Sequence, residues 1–407
     1  MERKLITGNG AAAWGARLAD VDYIPAFPIT PQTEIVERLS AWVEGGDMAA
    51  RMVMLESEHS MLTAAGAAAA TGVRVFTATS SQGLLYGMEM LYTVAGWHVP
   101  LVLVNVSRGL AAPITLEPDH NDVMAARDSG FLQIHCSTCQ EVLDSILLAY
   151  RMAEDPRVRL PVLVNLDGFY LSFTREPVLL PAADAVREYL PPFDPQHTAF
   201  RGGAPQAQAV AVLGGSLYSY FRYELHQAAM QALPAYEDAA REFERRFGRY
   251  HPAVEAYRMD DAEFAFVMIG AFATKAKAAV DAMRADGWRI GLIRPRLLRP
   301  FPEADIVAAA SGLRGIAVID QNLSAGYGGI LQHELSAALF RAGSQAKVAG
   351  FVGGLGGRDI PLEEFVAMAQ DARTAADGAP MPPTRLLFTE SELRNTRRMQ
   401  EIAQHHD

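Results

Sequence analysis

Residues Leu55 to Ser60 read LESEHS, two carboxylates and a histidine set directly before the small-residue run MLTAAGAAAATG. Glu56 or Glu58 in a first helical turn would sit well at the positive end of a helix dipole and need no further role. The run behind it is almost wholly Ala, Gly, Thr, Leu and Met, which predicts a helix buried on most sides. An acid entering such a helix is costly to bury unless something meets it, so a partner is expected.

Other stretches offer chemistry beside a plainer alternative. Arg108 follows LVLVNV directly. It is either a solvated loop arginine or a guanidinium placed to clamp a small carboxylate by paired hydrogen bonds. In FPITPQTEIVERL, Pro28 and Pro31 flank Thr30; the turn either caps a helix or fixes the Thr30 hydroxyl towards a ligand. In ATSSQGLLYGMEML, Ser80, Ser81 and Gly83 either present backbone N–H groups to an anion or cap the helix that follows. Cys136 and Cys139 form a CxxC beside His135. A metal or cluster needs about four ligands and no second cysteine pair exists, so small packing residues are the expected reading, with a redox pair as the alternative. GNGAAAWG has GxGxxxxG spacing, which is not the dinucleotide-binding spacing; a helix start with close packing is expected.

The elements that must position these residues follow from short apolar runs alternating with helical stretches, a pattern that predicts parallel sheets covered by helices. Strands are expected within 74–79, 101–106, 161–166, 263–270, 289–293, 315–320 and 346–352. In open α/β sheets ligands collect at the carboxyl ends of strands, where Arg108 and the Ser80–Gly83 turn would fall. Proline and charge enrich the stretch from about 175 to 260, the expected seam between two α/β units. Beyond it, Ala271, Ala276, Ala279 and Val280 give a helix its apolar side.

With 407 residues, half of them hydrophobic, the chain can bury two or three cores. A net charge of −11 leaves no basic stripe to neutralise phosphates, so a nucleic-acid partner is not expected. No apolar run reaches the roughly 20 residues of a membrane span. The segment MERKLITGNG lacks the apolar core of a secretory signal. Two cysteines give no disulfide framework, so a cytoplasmic location is expected.

Taken together and in order, FPITPQTEIVE, LESEHSMLTAAGAAAATGVRVFTATSSQGL, PLVLVNVSRGLAAPI through DHNDVMAARDSGF, and LPVLVNLDGFYLS resemble the α subunit of the 2-oxoacid:ferredoxin (or other acceptor) oxidoreductases, the pyruvate:ferredoxin oxidoreductase family. IGLIRPRLLRPFPE, VIDQNLSAGYGG and VGGLGGRDI extend the resemblance over nearly the whole chain. It implies an α/β fold: a thiamine diphosphate pyrimidine-binding parallel-sheet domain (1–180), a linker or insert (181–258), a transketolase C-terminal-like domain (259–385) and a C-terminal helix or tail (386–407).

By this resemblance Glu58 meets N1′ of the cofactor's aminopyrimidine, where a carboxyl hydrogen bond favours the imino tautomer that takes the thiazolium C2 proton. Pro28, Ser81, Gln82 and Gly83 join Glu58 in binding the cofactor, and Thr30 and Arg108 hold the carboxylate and carbonyl oxygens of a 2-oxo acid. A family branch acting on oxalate carries a second arginine at the Thr30 position, which disfavours oxalate. Phe27 stands where pyruvate enzymes often have tyrosine, so an aromatic acid such as phenylglyoxylate stays open beside pyruvate. No GDG followed about 25 to 30 residues later by Asn is present to grip Mg2+ and the diphosphate. The resemblance therefore assigns Mg2+, the diphosphate site and a proximal iron–sulfur cluster to a β-type subunit. It assigns coenzyme A handling to a γ-type subunit and electron transfer to a ferredoxin-like δ-type subunit, with a flavin/NAD subunit where NAD is the acceptor. A pyrimidine-domain subunit of a lipoamide-linked dehydrogenase or transketolase-like enzyme, and a non-catalytic assembly subunit, are the competing readings.

Overall fold

The computed structural model describes residues 2–195, 200–205, 207, 210–381 and 383–404, so parts of the expected seam and the last three residues of the expected tail lie outside the described residues. The first unit runs β1 (Glu2–Thr7), α1 (Gly8–Leu18), β2 (Tyr23–Ala26), α2 (Thr33–Glu44), β3 (Arg51–Met54), α3 (Glu58–Ala70), β4 (Phe76–Thr79), α4 (Gln82–Tyr86), α5 (Met88–Gly96), β5 (Val102–Ser107), α6 (Asn121–Ala125), β6 (Leu132–His135), α7 (Cys139–Ala153), β7 (Val162–Asp167) and β8 (Arg175–Leu180). Strands β6, β7, β5 and β4 are parallel neighbours in that order. The parallel pair β2–β3 continues them through a bridge from Tyr23 to Val75. The carboxyl ends of β2, β3, β4, β5 and β7 thus share one edge, which is where the candidate residues fall.

Alternation along β5 shows why the sheet needs helices on both faces. Val102, Val104 and Val106 enter a core with α1 and α7, while Leu103 enters another with α3 and α5. Each such side chain contributes about 1.5–3 kcal/mol on full burial, enough for the register to be firmly specified. GNGAAAWG is a helix start, with the Thr7 side chain accepting from Gly10 N–H. Gly8 lies so close to the Leu171 carbonyl that a Cβ there would stand 2.6 Å from it.

After β8 come α8 (Ala183–Tyr189) and the 33-residue α9 (Gly215–Phe247). The stretch expected as an insert has its own packing: Ala232, Ala235, Tyr236, Ala239, Ala240, Phe243 and Phe247 recur at helical spacing and join the core of the first unit. The helix stops at Gly248, whose φ of +72° suits glycine.

The second unit comprises β9 (Val254–Tyr257), β10 (Phe264–Val267), α10 (Ala273–Ala285), β11 (Ile290–Pro295), β12 (Leu297–Arg299), α11 (Glu303–Ala309), β13 (Gly315–Asp320), α12 (Ile330–Arg341), β14 (Lys347–Val352), α13 (Leu362–Ala376), β15 (Arg385–Leu386) and α14 (Glu390–Gln404). Its sheet has the order β15-β14-β13-β10-β11-β9, with only β9 antiparallel. Strand β12 leaves this sheet and pairs antiparallel with β6, extending the sheet of the first unit. Buried Arg294 and Arg296 reach Glu141 of α7 at 2.6 and 2.9 Å, and Arg249 and His251 both reach Asp144. Each of the seven expected strand runs contains a strand. Ala276, Ala279 and Val280 are buried on α10 as expected, but Ala271 precedes that helix and donates its N–H to Asp167. Among the described residues, no helix is long and apolar enough to cross a membrane.

Candidate functional site

Helix α3 begins at Glu58, and Ser57 caps it by accepting from Ser60 N–H. Glu58 faces inward with Met61, Leu62, Ala65, Gly66, Ala69 and Ala70, a spacing that puts all of them on one side of the helix. The expectation of burial on most sides is corrected here: Ala67 is exposed, and His59, Ser60, Thr63, Ala64 and Ala68 are half-exposed. Small residues in α3 serve close approach, since Gly66 packs directly on Val94 and Trp97. Glu56 is exposed and takes the Ser60 hydroxyl, which lowers its pKa; His59 lies 3.4 Å from exposed Glu89.

Glu58 is 6% exposed, yet among the described residues no donor reaches its carboxyl. Its Oε1 lies against Gly83, where an added Cβ would stand 2.5 Å from Glu58 Oε1 and 2.5 Å from Thr79 Oγ1. An added Cβ at 83 would push the Glu58 carboxyl and the Thr79 hydroxyl aside.

Arg108 leaves the carboxyl end of β5 and is 6% exposed. Its Nη1 donates to the Thr30 carbonyl at 2.6 Å and its Nη2 to Gln82 Oε1 at 2.5 Å. Its Nε is buried without a partner among the described residues, as are Gln82 Nε2 and Thr79 Oγ1. Burial pulls the guanidinium's pKa down, and nearby Asp122 opposes that. Thr30 is exposed, in a turn closed by Gln32 Nε2 donating to the Phe27 carbonyl at 2.8 Å. Pro28 is exposed on the same turn and Phe27 is half-buried against the α3–α5 core. Helix α2 starts at Thr33 without a side-chain cap, so the capping reading of this turn does not hold.

Ser81 has φ +48° and ψ −116°, a conformation that costs a non-glycine residue about 1–3 kcal/mol. Its N–H points to Asp122 Oδ2 at 3.1 Å, and its hydroxyl lies 2.8 Å from Gln82 Oε1 and 3.1 Å from the Gly109 carbonyl. Gly83 N–H donates to the Ser80 carbonyl. The anion-cradle reading of this turn is thus corrected: the N–H groups of Ser81 and Gly83 are spent inside the protein. Ser81 stands behind Gln82 and supports it.

Glu58, Gly83, Gln82, Arg108 and Thr30 form one connected group, although four separate segments supply them. Asp122 and the polar strand residues Asn105 and Ser107 stand directly behind it, and none of these was a sequence candidate. Their signal was present: polar side chains in a strand that is apolar on both faces must be paired. Burial pushes the Asp122 carboxyl's pKa up, against hydrogen bonds from Ser107, Asn105 and the Val123 N–H. Cys136, directly after β6, and Cys139, at the start of α7, are free, buried thiols.

The arrangement defines an α/β protein whose parallel-strand edge carries a carboxyl without a hydrogen-bond donor among the described residues, linked through Gly83 and Gln82 to a guanidinium. The chain belongs to the family described as pyruvate flavodoxin/ferredoxin oxidoreductase, thiamine diphosphate-binding, which it matches over residues 14–245. Residues 262–365 match the pyruvate:ferredoxin oxidoreductase core domain II. It is similar to the pyruvate synthase subunit PorA of Methanocaldococcus jannaschii, at 41% identity over 92% of this chain and 96% of that protein. The ketoisovalerate oxidoreductase subunit VorA of Pyrococcus horikoshii is 37% identical over 92% of this chain and 95% of its own length. Among solved structures, 2-oxoglutarate:ferredoxin oxidoreductase from Magnetococcus marinus shares the fold with a TM-score of 0.70 and 18% identity, covering 91% of this chain and 65% of that one. The chain is a subunit of a 2-oxoacid oxidoreductase.

The residues present fit the aminopyrimidine end of thiamine diphosphate. A flat ring bearing an acceptor nitrogen suits the carboxyl of a buried glutamate that takes no hydrogen bond among the described residues, beside a glycine whose missing Cβ leaves that carboxyl room.

Proposed function

We propose that this chain is the α subunit of a cytoplasmic, coenzyme A-dependent complex that oxidatively decarboxylates a 2-oxo acid to acyl-CoA and CO2. The observation that carries the reading is buried Glu58, whose carboxyl takes no hydrogen bond among the described residues, in one connected group with Arg108. Glu58, Pro28, Gln82 and Gly83 would hold the aminopyrimidine, with Ser81 keeping Gln82 in place. Bound there, thiamine diphosphate supplies the electron sink that loss of CO2 requires. The Glu58 carboxyl would exchange a proton with the ring nitrogen, in a position largely shielded from water. Arg108 and the Thr30 hydroxyl take the carboxylate and carbonyl oxygens of the acid, with the guanidinium giving the stronger, charge-assisted bonds.

A β-type subunit would supply the diphosphate site, Mg2+ and a proximal iron–sulfur cluster. A γ-type subunit would handle coenzyme A, a ferredoxin-like δ-type subunit would carry electrons, and a flavin/NAD subunit would serve where NAD is the acceptor. Pyruvate and ketoisovalerate head the substrates to test, because similar chains carry these names. Phenylglyoxylate and phenyl- or indolepyruvate form the aromatic arm, supported by apolar Phe27 on the turn that carries Thr30.

The test is to purify the native complex, identify its subunits and iron content, and screen these acids with coenzyme A and a viologen acceptor. Iron-bearing partners and coenzyme A-dependent dye reduction with one acid are expected. An iron-free complex that passes its acyl group to lipoamide or a sugar would overturn the reading.

A further inference from the structure

The polar groups behind the site converge on one buried carboxylate. Asp122, at the start of α6, accepts from Ser81 N–H at 3.1 Å, Asn105 Nδ2 at 3.0 Å and Arg108 N–H at 3.4 Å on Oδ2. On Oδ1 it accepts from the Ser107 hydroxyl at 2.5 Å and Val123 N–H at 2.7 Å. The backbone from which Arg108 projects and the strained turn that carries Gln82 are therefore tied to the same residue. Gln82 in turn receives Arg108 Nη2, so a shift of Asp122 would move both ends of the contact that aims the guanidinium.

The second unit holds Asp122 from the other side. His120 N–H donates to the Gln321 carbonyl at 2.8 Å, Leu323 N–H donates to Asn121 Oδ1 at 3.0 Å, and Gly357 N–H donates to the Pro118 carbonyl at 2.9 Å. These bonds fix the loop from Pro118 to Asn121 immediately before Asp122. The loop that follows β13 thus reaches the substrate edge of the first sheet through two residues.

The geometry points to Asp122 as a positioning residue that aims Arg108 and Gln82, and to the second unit as the clamp that sets Asp122 through His120 and Asn121. This rests on the reading of Arg108 as the contact for the 2-oxo acid. A carboxylate is the side chain suited to the position: five donors surround it, and an amide would offer one acceptor oxygen while turning two N–H groups towards donors.

The test uses the complete complex carrying Asp122→Asn, Ser107→Ala or Asn121→Ala, assayed with pyruvate, ketoisovalerate and phenylglyoxylate, coenzyme A and a viologen. Expected is a rise in KM for the accepted acid of about tenfold for Asp122→Asn and about three- to fivefold for each of the other two, with kcat changed far less. A purely structural role would lower the amount of active complex and so kcat, leaving KM in place. An unchanged KM in both Ser107→Ala and Asn121→Ala overturns the proposal, even where Asp122→Asn fails to assemble. Wild-type complex that turns over none of these acids, nor phenyl- or indolepyruvate, removes the functional reading and this one with it; active wild type with unaltered KM in the variants removes this one alone.

Discussion

The carboxyl edges of the two sheets are built alike and finished differently. At the first, buried Glu58 lies against Gly83; at the second, buried Asp320 lies against Gly329, and a side chain on either glycine would collide with the acid. Asp320 is closed off by the first turn of α12, where Leu331 N–H and Gln332 N–H donate to its two oxygens at 2.8 and 3.1 Å. Glu58 has no such donors among the described residues. Structural acids in buried positions are normally hydrogen-bonded, so the contrast is between an acid closed by backbone donors and one whose open carboxyl fits the proposed ligand contact.

Removing the open acid should cost most. Glu58→Gln in the assembled complex should lower 2-oxoacid-dependent viologen reduction by about 10²- to 10⁴-fold, the range for a positioned proton-transfer group, with subunit assembly intact. Near-normal turnover would erase the distinction between the two edges. Next comes the paired glycine test. Gly83→Ala forces the carboxyl aside, and a displacement near 1 Å costs about 10²-fold in rate. Gly329→Ala presses on Asp320 instead and should cost about 1–3 kcal/mol of stability, as overpacking does, while turnover per folded complex stays near wild type. Equal effects of the two variants on rate would show that neither acid is special. Arg108→Ala should follow, with a loss of roughly 10- to 100-fold in kcat/KM, corresponding to charge-assisted hydrogen bonds of about 1.5–3 kcal/mol. An unchanged kcat/KM for every 2-oxo acid tested would take Arg108 out of the site.

The closed acid carries a pH signature. Burial pushes Asp320 up to about 7, against its two backbone donors, from an ordinary value of 3.8. Between those values the unfolded chain has lost the proton that the native protein retains. Protons bound in the native state then exceed those in the unfolded state, and this group's contribution to stability falls as pH rises through the window. Thermal unfolding across that range should show a decline for wild type that is shallower in Asp320→Asn. Parallel slopes would mean that Asp320 is ionised throughout in the native protein.

Much of the first edge was legible in the sequence because its signals were local. A small-residue run after LESEHS, a guanidinium directly after an apolar strand and two prolines around Thr30 each marked a strand end or turn without knowledge of the partner segments. The strands β2, β3, β6 and β8 gave no comparable signal. β2, β3 and β6 are four residues long, and Arg51 and Met54 of β3 are exposed, so no apolar alternation marks it. β12 was invisible for another reason, since its pairing with β6 joins residues far apart in the chain. Asp122 was hidden in the same way. Its donors are up to 41 residues distant, and nothing in DHND announces that Ser81, Asn105 and Ser107 will meet there. Burial on most sides of α3 was over-read, because Ala and Gly permit close packing without requiring it on every face.

The smallest effect concerns the two thiols, whose CxxC spacing left a redox pair open beside the expected packing role and whose environment opposes that chemistry. Thiol reactivity follows the thiolate fraction, which needs a lowered pKa and some exposure. Cys136 and Cys139 have neither: both are buried. Burial, reinforced by Glu141, pushes Cys136 up to about 12. Burial and Glu176 push Cys139 higher still, and its Sγ is turned to the Thr174 carbonyl at 3.4 Å. Cys139 also opens α7, where a helix N-terminus would ordinarily favour the thiolate. Here Glu176 takes the Cys139 N–H at 2.7 Å and puts a negative charge in that place. Cys136→Ala and Cys139→Ser should each keep turnover within about twofold, and native protein should resist alkylation at neutral pH until it unfolds. Rapid labelling of folded protein, or a large loss of dye reduction on either substitution with folding intact, would restore a redox role to the pair.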